Sequence, residues 1–238
     1  MSEPALELDG VVAGYKGPPV LDGVSLRVAE GELVTVVGPN GHGKTTLLKT
    51  ISGLIRPRAG TIKLGGTRIS GLPPDIIAGR GVAHVPQGDL LFPQMSVEEN
   101  LLMGAYVERS AATVATRLEE VFARLPKLKD RRRQTASTLS GGERRMVGIG
   151  RGLMMGGRVL LIDEPSLGLA PLIIEGIYET IAALKASGRS ILLVEENPAR
   201  VTGIADRIHL LDNGSFVWSG LPADLMERDE LLSTYLGG

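Results

Sequence analysis

Residues 34–46 read VTVVGPNGHGKTT, and this stretch decides the fold. A run rich in β-branched residues leads into a glycine-rich turn, and apolar residues then recur at helical spacing. The spacing G-x-x-x-x-G-K-[ST] of a phosphate-binding P-loop is matched by Gly38, Gly43, Lys44 and Thr45. The stretch therefore predicts a buried strand, a loop that binds a polyphosphate, and a helix.

The residue types of this loop suit a polyphosphate. Glycines let the backbone N–H groups turn inward around an anion, and the helix that follows offers its positive end. Lys44 adds a charge for the outer phosphates, and we expect it to be exposed; the Thr45 hydroxyl can bind Mg²⁺. The candidate binding residues of the loop are Gly38, Pro39, Asn40, Gly41, His42, Gly43, Lys44, Thr45 and Thr46.

Composition limits the classes of function. The chain has 238 residues, of which 43% are hydrophobic, a formal net charge of −1 and no cysteine. These values predict a sizeable core, argue against nucleic acid as the main partner and exclude disulfides and thiolate metal sites. No apolar run approaches the roughly 18 residues of a membrane span, and the acidic N-terminus shows no signal peptide. We therefore expect any membrane association to go through a partner.

The hydrophobic pattern predicts an α/β core, a mostly parallel sheet flanked by helices, and the P-loop motif makes it a core of the P-loop NTPase type. Two apolar runs, Val159–Ile162 and Ile191–Val194, suit central parallel strands with a helix between them. Hairpin signals such as Gly65–Gly66 predict an N-terminal antiparallel β layer. Helical segments follow a capping-box pattern at Ser96 and predict an inserted α-helical subdomain. We expect one domain over 1–238, with the core at 1–95 and 153–238, the insertion at 96–152, and terminal helices at 222–236.

Two acids follow the first of these apolar strands. Asp163 and Glu164 stand at the carboxyl end of the strand, where α/β sheets bind ligands. Asp163 is placed to hold Mg²⁺ through water, and Glu164 is placed where a base can polarise an attacking water. A lone Asp-Glu pair at a strand end more often serves a turn, but the P-loop upstream favours the Mg²⁺ interpretation.

The stretch Ser140–Gly141–Gly142, followed by Glu143–Arg144–Arg145, begins a helix and by itself predicts only an anion site. It also resembles the signature of ATP-binding cassette (ABC) ATPases. Other marks of that family fall in order: Tyr15 as the aromatic that stacks on adenine, Gln87 as the glutamine of the Q-loop, and Asp163–Glu164 as Walker B. The resemblance covers essentially the whole chain.

The resemblance implies an ATPase with ATP and Mg²⁺ as ligands. Its implied catalytic residues are Lys44, Gln87, Glu164 and Glu196. Its implied metal-site residues are Thr45, Gln87 and Asp163. The implied ATP-binding residues outside the P-loop are Tyr15, Ser140, Gly141 and Gly142. In such systems two ATPases pair head to tail, so Ser140 and Gly142 of one chain cap the ATP held by the P-loop of the other.

A narrower resemblance is carried by VPQG at 85–88, SVEENL at 96–101 and EPSLGLAP at 164–171. These segments resemble one ATPase subunit of branched-chain amino-acid importers. The resemblance implies a peripheral subunit at the cytoplasmic face of the membrane, paired with a second ATPase subunit (a heterodimer in the transporter, a homodimer when isolated) and bound to permeases that a solute-binding protein feeds. Import of branched-chain amino acids is the leading prediction. The alternatives are a urea or amide importer, a non-transport ABC ATPase, and a module that binds ATP without hydrolysing it.

Three positions depart from the family pattern. His42 stands where small residues are common, and we interpret it as filling the loop, with phosphate contact as the alternative. Ala170 stands where many members carry the aspartate of the D-loop, and Glu196 stands at the switch histidine. An ionised glutamate cannot donate a hydrogen bond to the γ-phosphate, so we expect a slow site on this P-loop. His84 and His209 lie in predicted strands and are interpreted as structural.

Overall fold

Two β-sheets and a set of helices make up the part of the chain that the computed structural model describes, residues 3–88, 90–228 and 231. The strands are β1 (Leu6–Ala13), β2 (Leu21–Val28), β3 (Leu33–Val37), β4 (Ala59–Leu64), β5 (Thr67–Arg68), β6 (Val82–Val85), β7 (Val159–Asp163), β8 (Ser190–Glu195), β9 (Arg207–Asp212) and β10 (Ser215–Gly220). The α-helices are α1 (Lys44–Ile51), α2 (Pro74–Gly79), α3 (Val97–Gly104), α4 (Ala111–Arg124), α5 (Pro126–Asp130), α6 (Gly141–Met154), α7 (Pro171–Ala186) and α8 (Pro222–Met226). Of the terminal helices predicted at 222–236, α8 is present, and the segments 229–230 and 232–236 lie outside the described residues.

The central sheet has the strand order β10-β9-β3-β8-β7-β6. The pairs β9–β3, β3–β8, β8–β7 and β7–β6 are parallel, and β10 joins β9 antiparallel at the edge. Every residue of β3, β7 and β8 is buried, as expected of parallel strands covered on both faces. The carboxyl ends of these strands therefore meet at one edge of the sheet, where Val37 is in register with Glu195 and Asp163 with Val194.

Each face of the central sheet has its own apolar core. One face, which includes Val36, Leu161 and Leu192, packs against α1 and against the four-stranded antiparallel sheet β2-β1-β4-β5. The opposite face, which includes Ile162 and Leu193, packs against α3, α4, α6 and α7. The predicted α/β core with an antiparallel β layer is confirmed, and the chain turns between β4 and β5 at Gly65–Gly66 as the sequence predicts.

The inserted helices α3 to α6 lie between β6 and β7 in the chain. At the start of α3, Ser96 Oγ accepts the N–H of Glu99, and the Glu99 carboxylate accepts the N–H of Ser96, which confirms the predicted capping box. The helix α6 begins with a second capping box, formed by Ser140 and Glu143. The helix α6 runs to Met154, past the predicted limit of the insertion at 152. A helix end does not by itself define a domain boundary, so the domain limits stay a prediction.

Two histidines lie in strands of the central sheet, where His209 is buried and His84 is partly buried. His84 in β6 lies 3.1 Å from Ser52 Oγ, and His209 in β9 lies 2.6 Å from Ser219 Oγ, each through Nδ1. Burial lowers the pKa of both rings to about 4, so both are neutral at pH 7. These contacts are consistent with the structural interpretation of the two histidines.

Asn100→Ala should destabilise the fold by roughly 3 kcal/mol, because it removes all hydrogen bonds of a fully buried amide and leaves the N–H of Phe92 without its acceptor. The fully buried Asn100 amide accepts from the N–H of Phe92 and donates to the carbonyls of Phe92, Met95 and Ser96, which fixes the chain before α3. Urea unfolding measures the loss. Leu102→Ala on the exposed side of the same helix is the control and should cost under about 1 kcal/mol. Equal losses for the two variants would contradict this role of the amide.

Candidate active site

The P-loop runs from the end of β3 to the start of α1, as the sequence predicts. A Cβ at Gly38 would lie 2.2 Å from the carbonyl oxygen of Leu211 in β9, so only glycine fits this close approach of two backbones. Gly43 caps α1 with a left-handed φ of 110°, which a residue with a Cβ rarely adopts. The two fixed glycines of the motif are thus explained by the local geometry of the strand, the loop and the helix.

Lys44 is buried inside its own loop, with 4% of its surface exposed. Its Nζ donates to the carbonyls of Gly38 at 2.7 Å and Pro39 at 3.0 Å, and lies 3.1 Å from Glu164 Oε1. The expectation of an exposed lysine is therefore wrong. The physical reason is that a buried ammonium needs acceptors for all its donors, and the loop carbonyls and Glu164 provide them.

Glu164 is held by contacts on both carboxylate oxygens. Oε1 faces Lys44, and Oε2 accepts a hydrogen bond of 2.8 Å from Gln87 Nε2. The backbone of Glu164 has a φ of 42°, which is strained for a residue with a side chain, and its N–H donates to the carbonyl of Val194. The sequence places Lys44, Gln87 and Glu164 in three separate segments, and the fold brings them into direct contact.

Asp163 and Thr45 form a second pair beside Glu164. The Thr45 hydroxyl donates to Asp163 Oδ1 at 3.1 Å, and Asp163 is 1% exposed. Burial raises the pKa of Asp163 to about 6, with a smaller rise from the neighbouring charge of Glu164, while the Thr45 hydrogen bond lowers it.

This pair fits a small hard cation. A hydroxyl and a carboxylate oxygen are ligands that Mg²⁺ accepts, and it commonly takes its remaining ligands from water and phosphate. Within residues 3–88, 90–228 and 231, no cluster of three or more His, Cys, Asp or Glu could hold a metal by itself. A cation between Thr45 and Asp163 would therefore take further ligands from water and phosphate oxygens. Because Gln87 donates its N–H to Glu164, only its carbonyl oxygen is left for a metal.

The signature residues lie at the start of α6. Ser140 Oγ and N–H both bond to the Glu143 carboxylate in the first turn of α6, and Ser140 is exposed. A Cβ at Gly142 would lie 2.3 Å from Ile173 Cγ2, so this glycine is needed where α6 packs on α7. The structure thus places Ser140, Gly141 and Gly142 in a separate helical turn, with hydrogen bonds inside that turn rather than to the P-loop.

The remaining predicted residues are His42, Tyr15 and Glu196. His42 Nδ1 lies 2.7 Å from Asp212 Oδ1 and 3.2 Å from Asn213 N, so its side chain faces the β9–β10 turn. Tyr15 is 54% exposed in the loop between β1 and β2. Glu196 is exposed directly after β8, and its N–H donates to Glu195 Oε1 at 2.9 Å. The side chain of His42 is engaged with the hairpin, which supports its interpretation as a structural part of the loop.

A family profile described as ABC transporter matches residues 21–167, more than half of the chain. The chain belongs to the ABC transporter family. The matched residues include the P-loop, Gln87, the signature turn and the pair Asp163–Glu164. The chain is therefore an ATPase subunit of this family, as the sequence motifs predict.

Two similar proteins match this chain over nearly its whole length and indicate the subgroup of the family. The chain is 40% identical to the high-affinity branched-chain amino acid transport ATP-binding protein BraG of Pseudomonas aeruginosa, covering 98% of this chain and 100% of BraG. It is 36% identical to the probable branched-chain amino acid transport ATP-binding protein LivF of Archaeoglobus fulgidus, covering 94% and 95% of the two chains. The narrower resemblance drawn from the motifs is confirmed.

Solved structures of this ABC family share the fold. The ADP conformation of MJ1267, an ATP-binding cassette of an ABC transporter, superposes with a TM-score of 0.84 at 27% identity, covering 97% of this chain and 95% of that one. A structure titled as an ATP-binding subunit of an ABC transporter gives 0.81 at 30% identity, with 98% and 95% covered. Among the described helices, none is long and apolar enough to cross a membrane.

Sequence reasoning missed one buried acid that lies beside this ABC ATPase site. Glu195 ends β8, is 1% exposed, and receives hydrogen bonds from Ser166 and Tyr178. The signal in the sequence was an acid directly after the apolar run Ile191–Val194. Such an acid can be buried at the end of a strand only if hydrogen-bond donors pair with its carboxylate.

Asp163→Asn should stabilise the protein at neutral pH when no nucleotide is added, because it removes a buried ionised carboxylate but keeps an acceptor for Thr45. The folded-state pKa of Asp163 is raised to about 6 from 3.8, so wild-type stability is lost as pH rises between these values. The variant should gain up to about 3 kcal/mol above pH 7, and the gain should shrink toward zero near pH 4. Urea unfolding at several pH values measures this difference.

The exposed Asp22 in β2 offers a matched control. Asp22→Asn removes the same charge from a solvated position and should change the unfolding free energy by less than about 0.5 kcal/mol at every pH. A gain for Asp163→Asn that does not depend on pH would contradict the ionisation argument.

Proposed function

We propose that this chain is the ATP-hydrolysing subunit that drives import of branched-chain amino acids through a membrane permease, from the cytoplasmic face. The observation that carries the proposal is the position of Glu164. It lies between Lys44 and Gln87 and beside the pair of Thr45 and Asp163, at the carboxyl edge of the sheet where the P-loop begins. The proposed base Glu164, the ammonium group of Lys44 for the phosphates, and the metal-binding pair Thr45–Asp163 thus lie next to one another.

In the proposed site, the P-loop N–H groups and the N-terminal end of α1 bind the phosphates. Lys44 exchanges its contacts with the loop carbonyls and Glu164 for phosphate oxygens. A buried ion pair adds little net stability, so this exchange is feasible, and it frees one oxygen of Glu164. Tyr15, exposed in the loop between β1 and β2, stacks on the adenine.

Hydrolysis then depends on Glu164 as the general base. Its carboxylate accepts a hydrogen bond from the attacking water, and Gln87 holds the second carboxylate oxygen so that the base keeps its direction. Thr45 and Asp163 would hold Mg²⁺, which supplies charge neutralisation for the phosphates. A cation bound beside Asp163 would favour the ionised carboxylate and so oppose the rise in its pKa that burial causes.

We propose that the complete site needs a second subunit. Ser140 is exposed and bonds within α6, so we propose that the N-terminus of α6 is available to an ATP held by another chain. Pseudomonas aeruginosa has both BraG and BraF, which are 40% and 33% identical to this chain and are both named ATP-binding proteins of branched-chain amino acid transport. This supports a heterodimer in the transporter, with a homodimer as the isolated form.

Transport assays test the solute. The chain is expressed in cells that lack their own BraG-type subunit, and uptake of radiolabelled leucine and of radiolabelled urea is measured. We expect leucine uptake to be restored, and to be lost again with Glu164→Gln. Uptake of urea without leucine would overturn the proposed solute, and restoration by Glu164→Gln would overturn the coupling to hydrolysis.

Glu164→Gln should keep ATP bound and slow hydrolysis by about 10²–10⁴-fold, because the base is missing. It also removes a negative charge beside the phosphates, so closed ATP-bound dimers should accumulate. Size-exclusion chromatography with light scattering, in ATP and Mg²⁺, measures the mass. Glu119→Gln on the exposed side of α4 is the control and should behave as wild type. A monomer peak alone for Glu164→Gln would contradict the head-to-tail dimer.

Glu196→His should speed ATP hydrolysis by the homodimer. A histidine can donate to the γ-phosphate as charge develops, and losing one such donor typically costs about 10²–10³-fold. Turnover at saturating ATP measures the gain. Glu196→Ala removes the charge without supplying a donor, and it separates the two effects. If the wild-type homodimer already hydrolyses ATP rapidly and Glu196→His hydrolyses it no faster, there is no reason to expect a faster site on a different partner subunit.

A further inference from the structure

A buried carboxylate lies beside the candidate active site and has no part in the mechanism above. Glu195 is the last residue of β8 and is 1% exposed. Its Oε2 accepts a 2.8 Å hydrogen bond from Ser166 Oγ and another from the Tyr178 hydroxyl. Its Oε1 accepts the N–H of Glu196 at 2.9 Å and lies 3.3 Å from Arg200 Nη1.

The partners of Glu195 are all donors, which matches an ionised carboxylate. Burial raises the pKa of Tyr178, and the charge of Glu195 raises it further, so the phenol keeps its proton and donates. Arg200 balances the charge and also donates to Ser166 Oγ at 2.6 Å. A buried charge is tolerated only when it is paired and hydrogen-bonded in this way.

These contacts join three segments around the active site. Ser166 follows Glu164 by two residues, in the loop between β7 and α7. Glu196 begins the loop after β8, and Arg200 belongs to the 3₁₀ turn Pro198–Arg200 in that same loop. Tyr178 lies on α7. One carboxylate thus connects the loop that starts at the base, the loop of residue 196, and the helix that packs beneath both.

We propose that Glu195 is a positioning residue that holds the Glu164 and Glu196 loops together as one unit for ATP hydrolysis; this rests on the proposed role of Glu164. The strained φ of 42° at Glu164 supports it, because such a backbone persists only where its surroundings fix it. The N–H of Glu164 is bound to Val194, and the loop after it is bound to Glu195. Both restraints come from the end of β8.

The substitution Glu195→Gln tests this role with little change in shape. An amide has one acceptor oxygen and an NH₂ group, so the NH₂ would face donors of the network. We expect the ATP hydrolysis rate to fall about 10–100-fold, since small displacements of catalytic groups cost this much. The affinity for ATP, measured in EDTA, should change less than about twofold, because the hydrogen bonds described for the Glu195 side chain involve no residue of the P-loop. Tyr178→Phe, which deletes one donor and is a milder change, should lower the rate about 3–10-fold.

The control is Glu179→Gln, which removes a carboxylate from the exposed side of α7 directly after Tyr178. It should leave rate, ATP affinity and melting temperature unchanged. A normal hydrolysis rate in both Glu195→Gln and Tyr178→Phe would overturn the proposal. So would a loss of ATP affinity in proportion to the loss of rate, since that outcome indicates a general structural role.

A double substitution shows whether Glu195 acts through Glu164. If it does, Glu195→Gln should lower the rate in the wild-type background but have little further effect in Glu164→Gln. Equal factors in the two backgrounds would overturn the inference while leaving Glu164 as the base. Conversely, an undiminished rate for Glu164→Gln alone would overturn the proposed function itself, so the two failures are distinguishable.

Discussion

Parallel pairing of β3, β8 and β7 is the constraint on which the rest of the structure depends. All residues of these strands are buried, so each strand must be covered on both faces and cannot shift without exposing apolar side chains. The register fixes Val37 beside Glu195 and Asp163 beside Val194. The P-loop, the acid pair and the loop of residue 196 therefore meet at one edge, although they come from distant parts of the chain.

Buried charge at this edge is arranged for function rather than for stability. Lys44 is satisfied by its own loop and by Glu164, and a pair of this kind contributes little to folding. The pKa of Asp163 is raised to about 6 by burial, so its ionisation opposes folding at neutral pH. The protein thus keeps Lys44 and Asp163, which suit a polyphosphate and a cation, although their burial adds little to stability or lowers it. This is a trade-off between stability and activity.

The sequence predicts the features that depend on local pattern. The apolar runs, the P-loop glycines, the capping box at Ser96 and the Gly65–Gly66 turn have signals within a few residues, and each is found where expected. Contacts between distant segments had no such signal. The contact of Lys44 with Glu164, the approach of Gly142 to Ile173, and the contact of His42 with the β9–β10 turn all depend on tertiary packing.

Two adjacent glutamates show how far local pattern reaches at this edge. Glu195 ends β8 and is buried, with hydrogen bonds from Ser166 and Tyr178 to its carboxylate. Glu196 follows the strand and is exposed. The N–H of Glu196 is held by Glu195 whatever side chain residue 196 carries, since only its backbone takes part. This hydrogen bond therefore does not depend on which side chain stands at position 196. In the proposed site, a change of that side chain would alter the charge and the donors near the phosphates while this hydrogen bond stays in place, so we expect that two paired subunits can share the loop geometry and differ in rate.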